Sequence, residues 1–130
     1  MTYYFATTLP VSFEEGIERV KAALADEGFG VLTEIDVAET LKKKIGADFR
    51  PYRILGACNP TLAHQALQQE DKIGTMLPCN VVVQELASGG VEIAAVDPVA
   101  SMQAVENPAL ADIATAVQAK LRRVIERLKI

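Results

Sequence analysis

Residues 80–96 read Asn80-Val81-Val82-Val83-Gln84-Glu85-Leu86-Ala87-Ser88-Gly89-Gly90-Val91-Glu92-Ile93-Ala94-Ala95-Val96. Two apolar, β-branched runs, 80–86 and 91–96, flank a Ser-Gly-Gly turn, the pattern of an antiparallel hairpin. Asp97-Pro98 stops the second run, with Asp97 as a turn residue. An antiparallel pair at this place excludes a standard doubly wound parallel sheet. Everything upstream and downstream has to be fitted around the hairpin.

Upstream, residues 3–9 are aromatic and β-branched and end at Pro10, so they read as a strand. Ser12 and Glu15 have capping-box spacing, and Phe13, Ile17, Val20 and Leu24 then recur on one helical face until Gly28. Residues 29–35 form a second strand, with Val31, Thr33 and Ile35 expected on one face and Leu32 and Glu34 on the other. Asp36 and Glu39 repeat the capping box ahead of a short helix, 37–45, closed by Gly46; its Lys42-Lys43-Lys44 run reads as a solvated face. Residues 51–57 are a third strand. Asn59 as N-cap and Pro60 as first residue open a helix running to about 69, with Leu62, Ala63, Ala66 and Leu67 inward.

Downstream of the hairpin, 98–108 reads as irregular or weakly helical, with Met102 and Val105 as packing or lid residues. From Pro108 to the C-terminus Leu110, Ile113, Val117, Leu121, Val124 and Leu128 follow a heptad-like spacing, a narrow apolar seam on one long helix. Lys120, Arg122, Arg123, Arg127 and Lys129 crowd its end, where the helix dipole favours cations. The expected fold is α+β: a curved, mainly antiparallel five-stranded sheet with helices on one face, extra short helices and a long C-terminal helix, in a single domain over 1–130.

The chain has 130 residues, 13 Lys+Arg against 17 Asp+Glu, a net charge of -4 and half its residues hydrophobic. That composition argues against disorder, and the acidic balance argues against nucleic acid and anionic membranes as partners. The N-terminus lacks a basic and then apolar leader pattern, and no run approaches the ~20 apolar residues of a membrane span. The expected compartment is the cytoplasm, where two cysteines are thiols rather than a bridge.

Several chemistries are missing their motifs. No phosphate-binding loop, dinucleotide fingerprint or nucleophile elbow occurs, and Gly28-Phe29-Gly30 follows a helix rather than a strand. His64 is the only histidine, so any Ser-His-Asp triad has to use it; it falls on the outer side of its helix. Glu85 and Glu92 are candidates to face each other across the hairpin, and Tyr52 and Arg53 for a cross-strand contact.

One constellation stands out: Cys58-Asn59-Pro60 and Leu77-Pro78-Cys79. Cys58 ends one strand just before a helix N-terminus, where the dipole favours a thiolate, and Cys79 opens the next strand. If the two strands are antiparallel neighbours, both thiols reach the same sheet edge. Core burial, thiol chemistry and a soft-metal site are the three readings, with Cys58 and Cys79 as weak metal candidates because four ligands are wanted and one imidazole exists. No cofactor is called for, and no catalytic residue is identifiable.

The run Tyr52-Arg53-Ile54-Leu55-Gly56-Ala57-Cys58-Asn59-Pro60, with Ala63, Ala66-Leu67 and Gly74-Thr75-Met76-Leu77-Pro78-Cys79-Asn80-Val81, resembles the DUF302 family, a domain of unknown function. The resemblance implies a β-α-β-β-β-β-α arrangement of the TATA-box-binding-protein type, without DNA binding, and a homodimer. It raises the two cysteines above anonymous core positions but implies no reaction. The function expected is binding of a small ligand or a protein partner, with Cys58, Asn59, Pro60, Pro78 and Cys79 at one rim of a groove. The alternative is a thiol-dependent redox or metal-handling protein using Cys58 and Cys79. A third reading places a dimer contact on an exposed strand or on the apolar helix seam, where a charge at Leu121 or Val124 would break it.

Overall fold

The computed structural model describes residues 2–129; Met1 and Ile130, the two ends of the expected domain, lie outside the described residues. Five strands, β1 (Tyr4–Leu9), β2 (Gly30–Asp36), β3 (Tyr52–Cys58), β4 (Cys79–Glu85) and β5 (Val91–Val96), form one sheet in the order β1-β5-β4-β3-β2. Every neighbouring pair is antiparallel. The hairpin β4–β5 is therefore the centre of the sheet, closed at its turn by Leu86 N–H donating to Gly90 C=O at 3.0 Å, with both Gly89 and Gly90 at positive φ.

The helices are α1 (Phe13–Asp26), α2 (Val37–Ile45), α3 (Pro60–Gln69), the short α4 (Pro98–Ser101) and α5 (Ala111–Leu128), with single 3-10 turns at Ile73–Met76 and Pro108–Leu110. The capping signals act as read: Ser12 accepts from Glu15 N–H, Asp36 from Glu39 N–H and Asn59 from Leu62 N–H. At the end of α1, Phe29 N–H donates to Leu24 C=O and Gly28 N–H to Ala25 C=O, a Schellman ending that turns Phe29 into the core beside Leu24.

One face of the sheet and the inner sides of α1 and α5 make the main core. Val81, Val83, Leu55, Val91 and Ile93 come from the sheet, and Ile17, Val20, Leu24, Leu121 and Val124 from the helices; all are fully buried. The seam of α5 is thus consumed inside the chain, and Leu121 and Val124 are not surface positions on which two chains meet. Its basic end is consumed too. Glu27, buried, accepts from Arg123 Nε at 2.8 Å and Arg127 Nε at 3.0 Å, and Arg122 lies 4.8 Å over the Phe5 ring.

Two face assignments change. A bulge between Val31 and Thr33 shifts the β2 register, so Val31 pairs with Ala57, Thr33 with Gly56 and Glu34 with Leu55. Val31 and Glu34 therefore share the helix-covered side, Thr33 and Ile35 face the other way, and Leu32 is pushed out, 67% exposed. In the hairpin Glu85 pairs with Val91 and Glu92 with Gln84, so the two carboxylates lie on opposite faces. Gln84 Nε2 donates to Glu92 at 3.1 Å instead.

Strand limits also move by a residue. β1 starts at Tyr4, β3 runs on to Cys58 and β4 begins at Cys79, which draws both cysteines into the ladder. The 98–108 stretch contains the helical turn α4, capped by Asp97, which accepts from Val99 N–H.

Candidate functional site

α5 has 18 residues and spans about 27 Å, whereas β1 and β5, the six-residue strands it packs on, span about 20 Å. Its C-terminal half lies over the sheet, and Gln118 is level with Asp97, the residue after β5, so the N-terminal part of the helix continues past the end of that strand. A second, small cluster fills part of that overhang: Ala66, Ile73 and Leu110 are buried, with Leu77, Met102, Val105 and Ile113 packed around them. Polar ties close the cluster into a roof. Asn107 Nδ2 donates to Gln69 C=O at 2.8 Å and to Glu70 at 3.1 Å, and Gln118 Nε2 donates to Asp97 at 3.0 Å.

Between this cluster and the main core lies a cavity of about 280 Å³. Its floor is the end of the sheet, Ala57 and Cys58 of β3 with Pro78 and Cys79 at the start of β4. One wall is the inner side of α3, Leu62, Ala63, Ala66 and Leu67; the other is Ile113, Ala114 and Val117 of α5. Phe29, Leu77, Pro98 and Met102 fill the corners, and the bulged Leu32 stands with the 45% exposed Leu67 at the open side. No Asp, Glu, Lys, Arg or His lines it.

The sheet register brings the two cysteines to one end of the sheet. Cys79 pairs with Ala57, and Cys58 is the next residue along β3, paired with Gly30 of β2. Both are free thiols, Cys79 buried and Cys58 half-buried. Burial pushes the Cys79 thiol up to about 11, with the nearby Cys58 adding to the shift. At neutral pH Cys79 is an un-ionised, apolar wall group rather than a nucleophile.

Asn59 has its side-chain oxygen committed to the α3 N-cap at 3.2 Å from Leu62 N–H. Pro78, whose peptide bond with Leu77 is cis, packs over Gly56. A Cβ at Gly56 would overlap Thr33 Oγ1 and come within 2.7 Å of Pro78 Cγ, so only glycine lets the β2 strand and the Pro78 turn close together here.

Of the five rim residues expected from sequence, Cys58, Asn59, Pro78 and Cys79 line the cavity and Pro60 does not. At 100° per residue Pro60 falls beside His64 on the outer side of α3, and both are exposed. Leu62, Ala63 and Ala66 were legible as the inward face, but as core rather than as cavity wall. The α5 contribution was hidden, because Ile113 and Val117 continue the same apolar spacing as the buried Leu121. A comparison of helix length with strand length is the signal that separates them. Among the described residues no group of three or more His, Cys, Asp or Glu side chains is placed to hold a metal ion. The two cysteines form no disulfide, and the thiol and metal readings gain nothing from the geometry.

The family model described as "Domain of unknown function DUF302" matches residues 5–128. The chain belongs to the DUF302 family. A crystal structure described as an uncharacterized conserved protein DUF302 from Bacillus stearothermophilus is similar to this DUF302 chain at 32% identity, with a TM-score of 0.90 over 98% of this chain and 99% of that one. No curated protein matches it. The family and its solved relative thus support the α+β fold of this DUF302 protein, while its activity has to be read from its own site. Among the described residues no helix is long and apolar enough to cross a membrane.

Proposed function

We propose that this DUF302 protein binds a small, neutral, largely apolar molecule in the cavity between α3, α5 and the ends of β3 and β4. The observation that carries the reading is the lining: 280 Å³ of space bounded by apolar side chains, two thiols and one capped asparagine, with no Asp, Glu, Lys, Arg or His. An apolar cavity of ~150 Å³ accommodates a benzene ring, so this one accepts a ligand of about ten non-hydrogen atoms. A carboxylate or phosphate entering it would meet no counter-charge and would lose its hydration, which selects against anionic metabolites.

Thermal melting with indole as the probe tests the reading. A ligand that binds only the folded state raises Tm with concentration, whereas indole-3-carboxylate, equal in shape but charged, leaves it unchanged. Ala66→Leu, which projects bulk into the space, is expected to weaken the indole effect at least tenfold without loss of fold. No shift with indole, or equal shifts with the acid and in Ala66→Leu, contradicts the proposal.

We further propose that the protein works in the cytoplasm and as a homodimer, on a sheet of the TATA-box-binding-protein type. Two free thiols fit a reducing compartment. The single sheet with α1 and α5 on one face and nothing of the main core on the other supports the fold type, and that second face supports the dimer.

A further inference from the structure

Met102 borders three cavities at once. It fills a corner of the ligand cavity under α5, lines an outer cavity of about 430 Å³ beside the first turns of α5, and lines a third of about 220 Å³ at the start of β4. Residues common to two cavities form the partition between them. Toward the third cavity that partition is Leu77, Pro78, Cys79 and Met102; toward the outer one it is Met102 and Ala114 alone. Ala114 is buried and offers a single methyl group on α5, so the Met102 side chain closes this passage by itself. Its backbone is held on both sides. Met102 N–H donates to the C=O of the fully buried Pro98 at 3.0 Å, and Met102 C=O accepts from Val105 N–H at 3.0 Å. The thioether chain, unbranched and with three rotatable bonds, is the part that can turn.

We propose that Met102 is the specificity-determining residue for ligand length: its side chain turns aside to join the two cavities, which then hold a linear molecule, its apolar chain in the inner cavity and an uncharged, hydrogen-bonding head in the outer one. This inference rests on the cavity reading above and extends its ligand. Alone, the inner cavity is filled by about ten non-hydrogen atoms. It borders Val117 while the outer one borders Ala111, so the two follow each other along α5 and suit an elongated shape. Polarity changes in the same direction. The inner lining is apolar apart from Asn59 and the thiols, whereas Gln103, Asn107 and Thr115 stand around the outer cavity. Thr115 Oγ1 donates to Ala111 C=O at 2.9 Å and keeps lone pairs to accept from a hydroxyl or amide head. Neither cavity has a Lys, Arg or His, and the outer one carries the carboxyl group of Glu106. An anionic head therefore meets like charge and no counter-charge.

Thermal melting of the full chain with 1-dodecanol, a chain too long for the inner cavity, tests the assignment beside indole, which fits inside it. Both are expected to raise the Tm of the wild type with concentration, and dodecanoate is not. Met102→Ile, close in volume but branched at Cβ and stiff at χ1, is expected to weaken the apparent affinity for dodecanol at least tenfold and leave that for indole unchanged. Ala111→Leu, at an exposed position, puts bulk into the outer cavity and is expected to do the same without touching the partition. It keeps the test decisive if Met102→Ile fails to fold. No shift with indole overturns the cavity reading and this inference together. Indole binding without a dodecanol shift, dodecanol affinity unchanged in a folded variant, or an equal shift from dodecanoate overturns this inference alone.

Discussion

The two halves of α5 carry the same apolar periodicity and end in different surroundings. Toward the C-terminus Leu121 and Val124 are fully buried, and Arg123 and Arg127 grip Glu27 at the end of α1. Toward the N-terminus Ile113 and Val117 are only half-buried and border a cavity. Periodicity determines which side of a helix is apolar; what lies beneath that side decides whether it becomes core or binding wall. Here the deciding fact is that β5, on which α5 packs, ends at Val96, close to Gln118, so that Ile113 and Val117 lie beyond the strand and Leu121 and Val124 over the sheet.

Truncation gives the largest contrast between the halves. Leu121→Ala should cost about 3–4 kcal/mol in chemical denaturation, because it opens a void in close-packed core. Val117→Ala, facing space that is already empty, should cost about 1 kcal/mol or less. Equal losses at the two positions would show that the cavity is packed shut in solution and would abolish the distinction.

A smaller effect reports on the floor of the cavity. The folded Cys79 thiol titrates at about 11 against an ordinary value of 9.0, so the folded state holds its proton more tightly than the unfolded chain. Its contribution is fully present below pH 9 and is lost as pH rises from 9 to 11, amounting to about 2–3 kcal/mol. Cys79→Ala should flatten that part of the stability-against-pH curve relative to wild type. An unchanged slope would mean that Cys79 is hydrated and that the floor is open to water.

The smallest expected effect belongs to the clamp at the other end. Glu27→Gln should cost about 1 kcal/mol, since Arg123 and Arg127 are half-exposed and regain water. The hydrogen bond from Arg123 is the main cause holding the Glu27 carboxyl below its usual range, and Arg127 adds to it. Its stabilisation is therefore present at neutral pH and disappears as pH falls through the folded value. Urea unfolding of wild type and Glu27→Gln at neutral and acid pH should converge at the acid end; a constant difference would contradict the electrostatic account.

Much of the fold could be read before the structure, because its signals are local. The Ser-Gly-Gly turn, the Ser12, Asp36 and Asn59 caps and the α1 stripe each specify their own element. The antiparallel order around the hairpin then follows from few alternatives. What was not legible depends on register and on relative length. A single bulged residue, Leu32, reversed the faces of β2, and no local pattern distinguishes a bulge at Val31-Leu32-Thr33 from a regular strand. One-residue extensions of β3 and β4 moved both cysteines into the ladder. The candidate rim was found through Cys58, Asn59, Pro78 and Cys79, whereas its walls needed α3 and α5 to be placed in space, and Pro60 failed because one helical position decides between inside and outside.

The central claim is that an apolar molecule occupies the space under the α5 overhang. Titration of indole into isotope-labelled protein, followed through backbone amide NMR shifts, tests it most directly. Saturable shifts concentrated at Leu62, Ala66, Met102 and Val117, with Leu121 and Val82 unmoved, are the predicted result. Shifts centred on Val82 and Ala94, or none up to the solubility of the probe, would contradict it.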